Sequence, residues 1–330
     1  SIVGVSLYEA TPRHVCAFLA QRETRGTART TIHTLVCPYI GTRNAEFCEC
    51  PKQMKASTLK TLINQLKNAL RVYDDIFERR WSANMGNPVD SRMVDDYSEN
   101  ARRQQQQLGV TVQKAVAMMP AKLSTLIERM RLLVRSPATP PLERVRVARD
   151  VAWFVIAWCT GVRGRQLGDT LLCHAMWVPE GEKLLLHQTA GKTMYDLTVT
   201  DTLVLTANSE PLMCPLTAMR SYLFHARHYI SMGQMGFLFP QFNLYHGGVF
   251  AVPGPIPDQA INLRLKMYLD SFGIDAGETL HGFRSGYLIN QLCAGASVAA
   301  ASDGVWKSLT VAEGYAQYEA VIQRSGYTMR

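Results

Sequence analysis

The sequence predicts two domains, a helical first domain and a second domain that is mainly α with a small antiparallel sheet, an α+β arrangement. Its 330 residues exceed the usual size of a single domain. Apolar residues recur at helical spacing on both sides of a polar stretch that ends the first third of the chain. After Lys183 the period falls to two, and 184–187, 195–200 and 202–206 indicate short strands.

The composition indicates a globular protein with a polyanionic partner. Hydrophobic residues make up 47% and charged residues 19% of the chain, which excludes a disordered class. The net charge of +8 and the pI near 9.1 favour nucleic acid or an anionic membrane surface. The longest apolar run, Val151–Cys159, is too short to span a bilayer, so we expect no membrane span, and the first residues show no signal-peptide pattern.

A helix is well marked in the first domain after Ser57, where apolar residues follow helical spacing. It carries Lys60, Asn64, Lys67 and Arg71 on one face. Such a face is either solvated or a basic stripe that contacts DNA. The second domain decides between these interpretations, because only its chemistry indicates a nucleic acid partner.

The boundary between the domains is predicted at a polar stretch of low complexity. Arg102 and Arg103 precede four glutamines, 104–107, and then Leu108-Gly109. The stretch has no apolar periodicity and is typical of a linker. We therefore predict domains at 1–107 and 108–330, with the two arginines placed to lie along a phosphate backbone.

The cysteines indicate reduced thiols and one candidate metal site. Of eight cysteines, five lie singly in apolar surroundings, as in an intracellular protein. His33, Cys37, Cys48 and Cys50 lie together in a stretch that lacks core residues, and they form a Cys₃His set typical of structural zinc. The alternative is a group of reduced, partly buried thiols, because C-x-C is a less usual spacing than C-x₂-C.

Helical spacing in the second domain predicts helices at about 120–134, 145–158, 215–230, 258–272, 281–292 and 310–323. The last begins with a capping box, Thr310 with Glu313, which places Tyr315 in its second turn.

Several polar residues of this domain suit metal-free cleavage of a phosphodiester. Arg163 follows the apolar helix that ends at Thr160-Gly161, and His281 and Arg284 share a helix face. Arginine neutralises phosphate oxygens through two parallel hydrogen bonds and stays protonated. Each residue alone is more often a helix cap, a surface residue or a packing residue.

The other groups that the reaction needs are present as well. Lys192, in the turn Gly191-Lys192-Thr193, suits the protonation of a leaving 5′-oxygen. Tyr315 suits the nucleophile, with His281 assisting loss of its proton, because a phenol with a pKa near 10 is a weak nucleophile at neutral pH. The Gly-Lys-Thr fragment is not a phosphate-binding loop, because Leu186 stands where that motif needs its first glycine.

The sequence is similar to the tyrosine recombinase (phage-integrase-like) family on six positions in order. These are Arg163 in Thr-Gly-Val-Arg, Lys192, His281 and Arg284 in His-Gly-Phe-Arg-Ser-Gly, Trp306, and Tyr315 at the family's distance beyond the tryptophan. The resemblance implies a catalytic role for all six, with the Trp306 indole N–H donating to the phosphate. It covers the second half of the chain well and the first half weakly.

Within the family the sequence resembles the Crypton-type recombinases of eukaryotic mobile elements, through Leu280–Gly286 and the Cys-Pro and Cys-x-Cys-Pro stretches near Cys37 and Cys48. The resemblance implies a two-domain clamp on double-stranded DNA, with a core-binding and a catalytic domain. It also implies strand exchange through a Holliday junction by self-association from dimer to tetramer, no cofactor for catalysis, and a nuclear location.

Three departures from the family pattern leave alternatives open. Gln166 stands where the family commonly has an acidic residue, for which Asp169 is a candidate substitute, and Asp303-Gly304-Val305 is an unusual approach to Trp306. Tyr318, one turn beyond Tyr315, is a rival nucleophile. The alternative functions are a type IB topoisomerase that relaxes DNA and a domesticated DNA-binding protein without catalytic activity.

Overall fold

A computed structural model describes the chain except for residues 1–3, 7–8, 26–28, 32, 34–36, 40–47, 51, 74–80, 83–84, 108–115, 179–181, 189–200, 231–235 and 303–330. The chain divides into two compact units, 1–113 and 114–330, which are described separately. As predicted, the fold is mainly helical with a small antiparallel sheet. Among the described helices, none combines the length and hydropathy needed to cross a membrane.

The first unit packs helices around a small apolar core. Its elements are α1 (Pro12–Arg25), β1 (Arg29–Thr31), β2 (Lys52–Met54), α2 (Ala56–Tyr73) and α3 (Arg92–Gln107). The two strands pair antiparallel, with Arg29 opposite Met54. Val15 and Leu19 of α1, Leu59 and Ile63 of α2 and Val94 of α3 meet in the core. On α1 and on α2 the two residues lie four positions apart, and that spacing turns one stripe of each helix inward.

The linker prediction for 102–107 is wrong, because these residues form the last turns of α3. Gln105 is only 6% exposed. Its Oε1 accepts a hydrogen bond from the backbone N–H of Ala56 at 2.8 Å, and its Nε2 donates to the carbonyl of Met54 at 2.8 Å. The side chain therefore holds the junction between β2 and α2. Glutamine is a good helix former, so a low-complexity run of it does not exclude a helix.

The second unit is built around one buried helix. Its helices are α4 (Pro120–Arg135), α5 (Pro141–Thr160), α6 (Gly164–Gly168), α7 (Pro215–Ala226), α8 (Asp258–Ser271), α9 (Leu280–Cys293) and α10 (Val298–Ser302). Every residue of α5 from Val147 to Trp158 is buried. The helix starts at a Pro-Pro pair and ends at Gly161, whose φ of 62° is left-handed, as a glycine cap allows.

Two antiparallel sheets complete the second unit. Strands β3 (Ala175–Val178), β4 (Lys183–Gln188) and β5 (Asp201–Thr206) pair in that order, and the predicted strand 195–200 lies outside the described residues. The sequence interpretation missed β3 and a hairpin of β6 (Pro240–Tyr245) and β7 (Gly248–Pro255). Polar residues and prolines mask the strand period of this hairpin. Its tight turn uses positive φ at His246 and Gly247, of 47° and 77°.

A buried charge network joins α5 to α8. Asp150 is fully buried, and its Oδ1 accepts from the guanidinium of Arg149 at 2.6 Å. Its Oδ2 accepts from Arg264 and, at 2.9 Å, from the hydroxyl of Tyr268. Arg264 also pairs with Glu143 at 2.7 Å. Because a buried carboxylate needs all of its partners, this network fixes α8 firmly against α5.

Candidate active site

Arg284 is held at the end of the central helix. The side chain lies on α9 and is only 3% exposed. Its Nη1 donates a hydrogen bond to the carbonyl of Gly161 at 2.6 Å. Phe283, next to it, is fully buried against Phe154 of α5, with ring centroids 5.5 Å apart. The packing of Phe283 therefore directs Arg284 towards the loop that follows α5.

Arg163 lies in that same loop. Gly161 ends α5, and its N–H donates to the carbonyl of Ala157 at 2.9 Å. Arg163 then precedes α6, and its backbone N–H donates to the side-chain oxygen of Gln166 at 3.4 Å. Gln166, at the family's acidic position, thus caps the start of α6.

The structure brings Arg163, His281 and Arg284 to one cavity of about 330 Å³. The walls also contain Gly164, Asp258, Gln259, Asn262, Thr279 and Leu280. His281 lies at the exposed rim. Partial desolvation of its ring, and then the charges of Arg284 and Arg163, lower the pKa of His281 below its ordinary value. The imidazole is therefore neutral at neutral pH and can accept a proton.

The carboxylate that lines this cavity was missed by the sequence interpretation. Asp169, the candidate substitute for the family's acidic residue, pairs with Arg165 at 3.4 Å and does not line the cavity. Asp258, the first residue of α8, does. In the sequence, Asp258 directly follows Pro257 at a predicted helix start. An acidic residue is common in the first turn of a helix, so this position alone does not indicate a functional site.

The two glycines of His-Gly-Phe-Arg-Ser-Gly make room for a backbone segment, Val116–Met119. The N–H of Met118 donates to the carbonyl of Gly282 at 2.9 Å, and the carbonyl of Met118 accepts from the indole of Trp158 at 2.9 Å. A Cβ on Gly282 would overlap the carbonyl of Val116, and one on Gly286 would overlap that of Met118. The Val116–Met119 segment thus packs directly on the helix that carries His281 and Arg284.

The remaining predicted site residues lie outside the described part of the chain. These are Lys192, Trp306 and Tyr315, together with Tyr318, the approach 303–305 and the predicted helix 310–323.

The four predicted metal ligands lie together in the first unit, in the connection between the paired strands β1 and β2. The Nδ1 of His33 and the Sγ atoms of Cys37, Cys48 and Cys50 all lie within 4.8 Å of one another. His33 Nδ1 is 3.3 Å from Cys37 Sγ, which is 3.3 Å from Cys48 Sγ. The hydrogen bond with Cys50, desolvation and the nearby Cys37 raise the pKa of Cys48 to about 11.

The predicted basic face of α2 is partly neutralised. Lys67 and Arg71 both pair with Asp90, Arg71 at 3.7 Å, whereas Lys60 is exposed. Arg102 and Arg103 on α3 share Glu99, at 2.6 Å and 3.3 Å. Among the described contacts, Lys60 is therefore the residue of the five whose charge has no carboxylate partner.

Comparisons with known proteins find a family model and several solved structures. Residues 3–103 match the ALOG domain. No curated protein matches. The XerH site-specific recombinase bound to difH substrate in a pre-cleavage complex has a TM-score of 0.52 at 11% identity, over 98% of this chain and 72% of that one.

Two further structures are similar. The XerH recombinase bound to palindromic difH substrate, in a post-cleavage complex, has a TM-score of 0.51 at 12% identity, over 96% of this chain and 71% of that one. The Tn1549 transposon integrase in complex with transposon right end DNA has a TM-score of 0.46 at 14% identity, over 98% and 87%. At identities this low, likeness to XerH shows the fold alone: the chain has the fold of a site-specific recombinase.

Proposed function

We propose that this protein is a site-specific DNA recombinase or transposase that cuts and rejoins strands through a covalent 3′-phosphotyrosyl intermediate. The observation that supports this best is the meeting of Arg163, His281 and Arg284 at one cavity. The net charge of +8 supports a polyanionic substrate. The fold shared with a recombinase whose structures are described as pre- and post-cleavage complexes supports the type of reaction.

The two arginines bind the scissile phosphate in this proposal. Arg284 is preorganised, because its Nη1 already donates to the Gly161 carbonyl, and the residue lines the cavity. Arg163 lines the same cavity from the loop that leaves α5. Charge that develops on the non-bridging oxygens is then neutralised by fixed cations, which cost no reorganisation during the reaction. The chemistry therefore requires no metal ion.

The proton transfers need one base and one acid. His281, neutral because its pKa is lowered, accepts the phenolic proton of Tyr315. The Tyr315 oxygen attacks phosphorus, and the bond from phosphorus to the 5′-oxygen breaks. Lys192 protonates the departing 5′-oxygen, and Trp306 donates its indole N–H to the phosphate. Attack of a 5′-hydroxyl from a second strand reverses the sequence and rejoins the DNA, with no nucleotide consumed.

Covalent capture tests the nucleophile. Wild-type protein incubated with nicked duplexes of randomised sequence should form a covalent adduct that survives detergent. The nick lets the short strand piece with the released 5′-hydroxyl diffuse away, so religation cannot reverse the cleavage. Tyr315→Phe should abolish the adduct, and Tyr318→Phe should retain it. The measurement is the fraction of labelled DNA that migrates with the protein.

Three outcomes would overturn parts of this proposal. An adduct in Tyr315→Phe but not in Tyr318→Phe would assign the nucleophile to Tyr318. Relaxation of supercoiled plasmid without dependence on a site would favour the topoisomerase alternative. No adduct on any member of the pool, with DNA binding retained, would favour a DNA-binding protein without catalytic activity.

We propose structural zinc for the group of His33, Cys37, Cys48 and Cys50. Tetrahedral zinc with Zn–S bonds of about 2.3 Å separates its ligand atoms by roughly 3.7 Å. The observed separations of 3.3 Å and 3.4 Å around Cys48, within an overall limit of 4.8 Å, are close to that spacing. The hydrogen bond with Cys50 and the nearby Cys37 raise the pKa of Cys48, and a divalent cation bound to the group would favour its thiolate form.

Metal analysis and chelation test the zinc proposal. We expect one zinc per chain by mass spectrometry, and a chelator should lower the melting temperature, because zinc binding stabilises only the folded loop. Cys48→Ser should lose the metal, whereas Cys173→Ser, an exposed cysteine outside the cluster, should keep it. Metal-free protein whose melting is unchanged by chelator would contradict the proposal.

We propose that the exposed part of α2 contacts DNA. Lys60→Ala should lower DNA affinity and reduce the slope of log affinity against log salt by about 0.9, the loss of one phosphate contact. Lys67→Ala should reduce the slope by less, because Asp90 already neutralises part of that charge. Lys266→Ala, an exposed lysine of α8, is the control for a general loss of charge. An unchanged slope in Lys60→Ala would indicate a merely solvated face.

The narrower assignments rest on the resemblance. We propose that the chain comes from a Crypton-type element of a eukaryote, acts in the nucleus and assembles from dimer to tetramer on DNA. The heptapeptide Leu280–Gly286 and the cysteine stretch support the first point. Fluorescence microscopy of the tagged protein, and mass photometry with and without DNA, test the other two.

A further inference from the structure

Helix α8 contacts the start of both helices that carry the proposed site. Its first residue, Asp258, lies against α6: a Cβ on Gly164 would be 2.8 Å from the Asp258 Oδ1. The carboxylate can therefore approach α6 because residue 164 is a glycine. There it lies near the backbone N–H of Arg165, within the first turn of α6, and this N–H lowers the pKa of the carboxyl.

Asn262, one turn further along α8, lies against the start of α9. Its Oδ1 accepts a hydrogen bond from the backbone N–H of Leu280 at 3.0 Å. Leu280 is the first residue of α9, and Thr279 at the cap position makes no side-chain capping bond. A side chain from a neighbouring helix thus satisfies an N–H that the local sequence leaves uncapped.

The helix that presents these two side chains is firmly anchored. Arg264, two residues beyond Asn262, pairs with the buried Asp150 and with Glu143 of α5. Ile261, Leu265 and Leu269 of α8 are fully buried. Because α8 is fixed to α5, Asp258 and Asn262 hold the starts of α6 and α9 in place relative to α5.

We infer that Asp258 and Asn262 are positioning residues, which set the distance between Arg163 at the start of α6 and the His281–Arg284 turn of α9. Both arginines must meet one phosphate, so a displacement of either helix start separates them. The consequence for catalysis rests on the proposed function, whereas the positioning itself does not. It gives the site a supporting carboxylate on α8, although Gln166 occupies the family's acidic position and Asp169 pairs elsewhere.

The charge of Asp258 is compatible with this role. Desolvation and the charge of Asp169 raise the pKa of Asp258 above its ordinary value, and the backbone N–H and the charge of Arg165 offset part of that rise. A contact with the Arg165 N–H needs only an oxygen acceptor at this position. Asparagine should therefore replace the aspartate with little loss, whereas alanine should not.

The experiment uses the full chain and two readouts, one of which is independent of activity. Amide hydrogen exchange resolved to single residues reports the N–H groups of Arg165 and Leu280. The pKa of the His281 ring, measured by NMR, reports how close the two arginines lie to it. The second readout is the rate of adduct formation at saturating nicked DNA, measured beside the dissociation constant.

Each alanine variant should affect a different backbone amide. Asp258→Ala should speed exchange at Arg165, and Asn262→Ala at Leu280, by roughly ten-fold or more. Asn262→Ala should also return the pKa of His281 towards its ordinary value. Adduct formation should slow by about ten- to a hundred-fold in both, as for a displacement of about 1 Å, with DNA affinity unchanged.

Asp258→Asn should restore both the protection of the Arg165 amide and the rate of adduct formation. Asp270→Ala, a carboxylate at the far end of α8, is the matched control. Gly164→Ala, which displaces the carboxylate sterically, replaces Asp258→Ala if that variant is unstable.

The outcomes distinguish this inference from the proposed function. Wild-type exchange and a wild-type His281 pKa in the alanine variants would overturn the positioning role, whatever the protein does to DNA. If these readouts respond as expected but wild type forms no adduct, the recombinase proposal fails and the positioning role stands. If Asp258→Asn protects the Arg165 amide yet cleaves as poorly as Asp258→Ala, Asp258 acts on the substrate and its positioning role is overturned.

Discussion

An Arg284→Lys variant should bind DNA nearly as tightly as wild type but form the covalent adduct about a thousand-fold more slowly. The guanidinium of Arg284 is buried and already donates to the Gly161 carbonyl at 2.6 Å, so it can bridge that carbonyl and a phosphate at once. A lysine ammonium keeps the charge but is a compact point donor that lacks this planar fork. Single-turnover kinetics on nicked duplex DNA, with affinity measured separately, check the expectation.

The matched control for this variant is Arg165→Lys. Arg165 lies two residues after Arg163, is exposed, and pairs with Asp169 rather than lining the cavity. Its substitution should leave the adduct rate within a few-fold of wild type. An equal loss in both variants would show that a general change in charge, not the geometry of Arg284, limits the reaction. A large fall in melting temperature of Arg284→Lys would assign the loss to folding instead.

Gly282→Ala and Gly286→Ala should each destabilise the second unit by about 3 kcal/mol or more. In an open helix, alanine in place of glycine stabilises by about 1 kcal/mol. Here the sign should reverse, because the new Cβ would overlap the carbonyl of Val116 or Met118. The N–H of Met118 donates to Gly282 and its carbonyl accepts from Trp158, so the segment cannot move without losing these hydrogen bonds.

Thermal unfolding measures this effect. For a unit of this size, about 3 kcal/mol corresponds to a fall of roughly 6–12 °C in melting temperature. Gly248→Ala is the control, because its Cβ would meet its nearest atom, the Tyr245 carbonyl, at an ordinary 3.6 Å. An unchanged or raised melting temperature in the two α9 variants would mean that the Val116–Met119 segment does not pack there in solution.

Much of the helical architecture could be predicted from residue spacing. The predicted helices at 120–134 and 258–272 match α4 and α8 to within a few residues, because apolar stripes and prolines or glycines at helix ends are local signals. The same local signals misled at 102–107. Gln105 forms hydrogen bonds with Met54 of β2 and Ala56 of α2, which are distant in sequence. Nothing in the glutamine run distinguishes Gln105 from its neighbours.

The sequence predicted some residues of the candidate site and missed others. The residue types and order of Arg163, His281 and Arg284 predict that they meet, and in the structure they line one cavity, whereas their phosphate-binding and catalytic roles stay predictions. Asp258 and Asn262 were not identified, because what they cap lies on other helices. A side chain that satisfies a distant backbone N–H leaves no periodic trace in the sequence around it.

By itself the sequence determined the helical class, the position of strands β4 and β5, a group of one histidine and three cysteines as candidate metal ligands, and a constellation of arginines, histidine and tyrosine suited to phosphodiester cleavage. Each depends on residue type and near-neighbour spacing. Only the tertiary structure decided that Gly282 and Gly286 seat a backbone segment, that Asp90 neutralises Lys67 and that α8 joins the two halves of the cavity. These facts depend on which surfaces pack together, and packing joins residues whose separation along the chain carries no local signal.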